Sequence, residues 1–153
     1  MPRKHAKSSR KQGIVKNIPD NLPEIEVINI WIDNIRKMAE ENKRKEGIER
    51  CIPLFMFSVI FDDIDYTKQF LRKYSSKIER KNLVNLKDSH GRYIIFYAVF
   101  NNSCKTTKFL LENGFDIGKF DKEGKEYNIL HYASFSANTQ MFEIIFSHIS
   151  YLK

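Results

Sequence analysis

Beyond residue 23 the apolar residues recur at steps of three and four, the spacing that lines one face of an α-helix. Ile25, Ile28, Ile32, Ile35 and Ala39 predict a helix over about 24–44, with Pro23 where such a helix can begin. Val27, Trp31 and Met38 add a second apolar stripe, so this helix is expected to be covered on two sides and to cap the elements after it. Gly47 closes the segment. Ile52 to Phe61 reads as a short buried helix with Pro53 in its first turn, and Asp62 or Asp65 as the cap of a second helix ending near Tyr74. Ser75 to Asn82 reads as a polar connection. Further helices are expected over 93–101, 104–113, 128–136 and 139–148. Asn102 or Ser103, and then Asn138, stand where N-caps belong. Gly114 stands where a helix stops, because glycine tolerates the left-handed conformation.

Two stretches of this pattern are copies. Val84-Asn85-Leu86-Lys87-Asp88-Ser89-His90-Gly91 and Ile117-Gly118-Lys119-Phe120-Asp121-Lys122-Glu123-Gly124 match at a spacing of 33 residues. Each Asp-x-x-Gly leads into an apolar helical segment that reaches Tyr97-Ala98 or Tyr132-Ala133. A fixed period of this size signals stacked copies of one small unit, and such stacks bind other proteins more often than they catalyse.

The unit resembles the ankyrin repeat, a hairpin turn followed by two antiparallel helices. The resemblance rests on Asn128-Ile129-Leu130-His131-Tyr132-Ala133 in the last copy. In the middle copy it rests on Tyr93-Ile94-Ile95-Phe96-Tyr97-Ala98 and Leu110-Leu111-Glu112-Asn113-Gly114-Phe115-Asp116. Ile52-Pro53-Leu54-Phe55 and Phe70-Leu71 open a degenerate first copy, so about residues 51–149 are covered. The resemblance implies an all-α, ankyrin-type solenoid. Residues 1–22 form a basic tail without periodicity, 23–46 the N-terminal helix, and 47–83, 84–116 and 117–153 the three units. Two departures stand out. The last unit has two extra residues before its helix, and the first has Phe57 where Ala98 and Ala133 sit. The core is expected from Ile94, Ile95, Ala98, Phe109, Leu110, Ile129, Leu130, Ala133, Ile144 and Ile145. His131 takes the family's His position, which implies a ring hydrogen bond to turn backbone.

Binding in this family uses turn tips and the concave face of the first helices. In the register above, Met56, Tyr97 and Tyr132 share one position, and Val59, Phe100 and Phe135 share another. These six form a candidate recognition stripe, with His90, Arg92, Lys122 and Lys125 at the tips. The alternative is that the two columns pack against their neighbours or the N-terminal helix. Residues Met141 to Lys153 carry more apolar side chains than one preceding unit can cover, which points to a docked partner, self-association or a longer array.

Charge changes the picture only at the N-terminus. Arg3, Lys4, Lys7, Arg10, Lys11 and Lys16, against Asp20 alone, supply most of the net charge of +7. Arg3, Lys4, Lys7, Arg10 and Lys11 are a candidate targeting signal, and the same tail is suited to salt-dependent, sequence-blind nucleic-acid binding. Cys51 and Cys104 match no metal spacing and imply no disulfide framework. No run is long and apolar enough to span a bilayer, and residues 1–22 lack a signal-peptide core. There is no phosphate loop or nucleophile elbow, and Asp62, Asp63 and Asp65 look like turn and cap residues rather than a metal site. The expected protein is a non-enzymatic, cofactor-free, intracellular interaction module, cytoplasmic and/or nuclear. Short ankyrin-only inhibitors of the kappa-B type, including viral and parasite versions, supply the analogy of a decoy or adaptor.

Overall fold

The computed structural model describes residues 24–88, 90–116, 118, 127–136 and 138–152, with the backbone alone at 24–28 and 150–152. Among the described residues the fold is all-α, with α1 Glu24–Asn42, α2 Ile48–Ile60, α3 Ile64–Lys73, α4 Lys77–Asn85, α5 Ile94–Phe100, α6 Cys104–Glu112, α7 Ile129–Ser136 and α8 Thr139–Leu152. The basic tail and the turn Asp121–Gly124 lie outside the described residues.

Helix α2 starts four residues before the sequence pattern suggests, which moves Pro53 out of the first turn and into the helix. Proline has no N–H, so it leaves the carbonyl four residues earlier, that of Glu49, without its helical donor. Asn42 fills the gap: its side-chain amide, buried at the end of α1, donates to the Glu49 carbonyl at 2.9 Å. One side chain thus repairs α2 and ties α1 to it. Asn42→Ala is expected to cost about 1–3 kcal/mol, the usual range for orphaning a buried acceptor, seen as a lower melting temperature.

The caps also differ from expectation. Asp63, not Asp62 or Asp65, caps α3 by accepting from the Tyr66 N–H at 3.1 Å. Asp62 reaches forward instead, with φ 57°, and its carboxylate accepts from the Thr106 N–H of α6 at 2.9 Å. Asn138 caps α8 through the Met141 N–H at 2.9 Å. Ser103 holds the N-cap position of α6 without a side-chain bond. The supposed connection after Ser75 contains α4, opened by a capping box in which Ser76 and Glu79 exchange hydrogen bonds. From α4, Arg80 donates to the carbonyls of Leu71 (3.1 Å) and Asn113 (3.3 Å), closing the C-terminal ends of α3 and α6 together.

The helices pair as α2 with α3, α5 with α6 and α7 with α8, and neighbouring pairs meet like with like. First helices touch in the order α2, α5, α7, and second helices in the order α3, α6, α8. Stacked rings join them: Phe96 lies on Tyr132 at 4.4 Å, while Phe55 on Phe70 at 4.3 Å closes the first pair. Ile94, Ile95, Ala98, Leu110, Ile129, Ala133 and Ile145 are buried as expected. Phe109, Leu130 and Ile144 are only half-buried, and Met141 takes the buried place in α8.

Backbone bonds fix the register between copies. Asp63 N–H to Ser58 O and Thr67 N–H to Asp63 O repeat as Ser103 N–H to Ala98 O and Thr107 N–H to Ser103 O. Ser58, not Phe57, is therefore the counterpart of Ala98, and Phe57 and Ile60, not Met56 and Val59, are the counterparts of Tyr97 and Phe100. The uniformly apolar block Ile52–Phe57 conceals a one-residue slip, and the helix end resolves it. Ser58 keeps the position small and adds a clasp, donating to the Phe55 carbonyl (2.6 Å) and pairing with the Thr67 hydroxyl (2.9 Å).

Candidate functional site

The first helices α2, α5 and α7 line one face, a groove that α1 partly fills: α1 packs along α2, and its Trp31 ring reaches over α5 and α7. Helix α1 thus covers the first pair and also extends past it onto the next two first helices. Trp31 enters edge-on against Tyr97 at 4.4 Å, lies against Phe100 at 5.2 Å and meets Tyr132 at 6.5 Å. Ile35, one helical turn later, is fully buried as well. The buried edge of α1 thus draws one residue from each sequence stripe, and Ile32, Met38 and Ala39 flank it half-exposed.

Beneath Trp31 the turn at Asp88–Gly91 closes on itself. Asp88 Oδ1 accepts from the N–H groups of His90 (2.8 Å) and Arg92 (3.0 Å), and the Gly91 N–H bonds the Asp88 carbonyl at 3.0 Å. This turn explains Asp88 and Gly91: aspartate supplies the side-chain acceptor, and glycine the φ of 78°. Asp88 Oδ2 accepts from Arg92 Nε at 2.9 Å and from the Tyr97 hydroxyl. The Arg92 guanidinium lies 5.1 Å over the Trp31 ring, a cation–π contact from the turn to α1. Arg92 Nη2 also meets His90 Nδ1 at 2.7 Å. A guanidinium can only donate, so this contact requires an imidazole with an unprotonated Nδ1.

Burial, and then the charge of Asp88, push the Tyr97 phenol well above its ordinary value, more than Arg92 pulls it down. A tyrosine in the unfolded chain ionises near pH ~10 while the folded one keeps its proton, so alkali favours unfolding. This group contributes no pH dependence below that range. Stability is expected to fall as pH rises through about 10, and denaturant midpoints measured from about pH 8 to about pH 11 check it.

The proposed contact residues separate into three groups. Met56, Val59, Tyr97 and Tyr132 are buried within the chain, so the exposed stripe expected of them is replaced by packing against α1 and the neighbouring helices. Arg92, expected at a turn tip, is fully buried in its ion pair with Asp88. Phe100 and His90 are half-buried, and Phe135 is 42% exposed. Lys122 and Lys125, and the tail residues Arg3, Lys4, Lys7, Arg10 and Lys11, lie outside the described residues. Two features escaped the sequence reading. One is Trp31 as the plug of the groove, although it is the chain's one tryptophan. The other is an exposed edge made by Leu54 on α2 and Phe61 at its C-cap, with Phe57 half-buried on the same helix.

Rings continue along the groove past Trp31. Phe135 lies 6.4 Å from Phe100, 6.1 Å from Tyr132 and 5.1 Å from Tyr127, which in turn lies 5.0 Å from His131. His131 Nδ1 lies 3.0 Å from the Asn128 N–H and 2.8 Å from Asn128 Oδ1, a local contact at the start of α7, and the turn before it lies outside the described residues. On the side of the second helices a depression between α6 and α8 is floored by Leu111 and Ile144, with Cys104 at its edge. Burial, and then Asp62, push the Cys104 thiol up, which disfavours the nucleophilic thiolate. Among the described residues no cluster of metal-type ligands occurs, and no helix is long and apolar enough to cross a membrane.

Comparison with known proteins gives one partial likeness. A protein of fowlpox virus (strain NVSL), named as an ankyrin repeat protein, is 35% identical over 65 residues, which are 42% of this chain. The match takes in 22% of the viral protein, so the chain spans about a fifth of that relative's length. No family model matches the chain. No solved structure matches it either.

Proposed function

We propose that the protein is a non-enzymatic protein–protein interaction module, built as an ankyrin-type row of helix pairs that grips its partner with the groove of α2, α5 and α7. The observation that carries this reading is the ring shelf of Phe135, Tyr127 and Phe100, which prolongs the groove beyond α1 and leaves Phe135 open to solvent. An exposed aromatic at the end of an apolar channel suits an anchor contact, since aromatic side chains dominate the energetics of many interfaces. The likeness to an ankyrin repeat protein points the same way. The protonated Cys104 and the capping roles of Asp62 and Asp63 offer no chemistry for catalysis.

Phe135→Ala tests the reading. Its ring is partly in water, so the variant is expected to melt within about 1 kcal/mol of the parent. Loss of an anchor side chain is expected to weaken capture of the partner tenfold or more, about 1.4 kcal/mol or above. Quantitative affinity capture with both proteins side by side measures this. Equal recovery of every bound protein by parent and variant would contradict the groove as the gripping surface.

A further inference from the structure

We infer that α1 is a displaceable strap: the groove is a receptor for an amphipathic helix, and α1 fills it in cis until a partner helix takes its place. This rests on the interaction-module reading and adds how the site is regulated and what fits it.

Helix α1 is built like a bound ligand. Among its described side chains one edge is buried, through Trp31, Ile35 and Asn42, while Asp33, Arg36, Lys37, Glu40 and Glu41 face water. Helices in proteins owe most of their stability to packing of an apolar face rather than to propensity, so the order of this 19-residue helix depends on the groove. It hangs on Lys43-Arg44-Lys45-Glu46-Gly47, all exposed, and Gly47 has φ 69° with open space around it, as a hinge requires. The Phe135–Tyr127 shelf gives an incoming helix a foothold while α1 is still seated. The cis fit is also incomplete. Trp31 Nε1 and Arg92 Nη1 are buried without an acceptor among the described residues. A competitor with an acceptor side chain at that point gains hydrogen bonds that α1 does not make.

The partner defined by this seat is an amphipathic helix with an aromatic anchor, a branched aliphatic residue four positions later, and a carboxylate or amide oxygen beside the anchor. A short tether presents α1 at an effective concentration on the order of 1 mM. Cutting the tether and diluting to about 1 μM therefore lowers what the groove sees about a thousandfold.

The test places a protease site within residues 43–47 of the full chain and follows Trp31 emission, which reports α1 alone because the chain has no other tryptophan. After cleavage and dilution, the expected result is a red shift of Trp31, separation of the α1 fragment, and retained helicity in the remainder. A fluorescein-labelled peptide of residues 24–42 should then bind the cut protein and not the intact one. Fragments that stay together through the dilution, or a remainder that unfolds, overturn the strap and make α1 part of the core. Either of those results leaves the interaction module standing, since Phe135→Ala tests that separately.

Discussion

Asp88→Ala is expected to destabilise the protein by about 3–5 kcal/mol, a large share of the roughly 5–15 kcal/mol that holds a typical domain folded. The reason is the number of donors on one carboxylate. Asp88 accepts from the His90 and Arg92 N–H groups, from Arg92 Nε and from the Tyr97 hydroxyl. Its side chain is 5% exposed and that of Arg92 is 0% exposed, so removing Asp88 leaves an unpaired guanidinium with no route to water. Replacing both partners should cost less than removing Asp88 alone, because Arg92→Met takes away the stranded charge. Chemical denaturation of Asp88→Ala, Arg92→Met and the double variant forms a cycle that checks this. Additive costs would show that the pair is not coupled.

Phe96→Ala should cost a similar amount, about 3–5 kcal/mol, by a different route. Phe96 is fully buried, stacked on Tyr132 and edge-on to Tyr93, so its ring joins α5 to α7. A cavity there removes dispersion contacts from both helices at once. In a row where each pair leans on its neighbour, the loss should fall unevenly. Amide exchange is expected to quicken most in α7 and α8, and least in α2 and α3. Uniform acceleration across all helices would indicate a globule without nearest-neighbour structure.

Much of the helical plan was legible because helices announce their ends. Gly114, Asn138 and the Asp-x-x-Gly turn are chemical signals whose meaning does not depend on distant residues. The N-terminal half was harder. The six-residue apolar block Ile52–Phe57 has no polar position inside it to set a phase, so sequence alone leaves the register of this copy open by one residue and hides Ser58 as the small residue. Helix α4 had a legible start, Ser76 with Glu79, but its exposed Ile78 and single buried Leu83 gave almost no periodic pattern.

The candidate site was legible as a set of aromatic columns and illegible as a surface. Nothing local in Tyr97 or Tyr132 says whether solvent or a helix far upstream covers them; Trp31 decides that, and its reach is tertiary. Arg92 misled for a related reason. A basic residue beside a turn is usually solvated, and its burial becomes affordable only because Asp88, Tyr97 and Trp31 meet around it.

The arrangement of α1 across the groove is tested most directly by NMR on the indole of Trp31. The account predicts nuclear Overhauser contacts from that ring to Tyr97 and Phe100 of α5 and to Tyr132 of α7, with fluorescence typical of a water-excluded tryptophan. An indole with solvent-like emission and no contacts to those rings would contradict it.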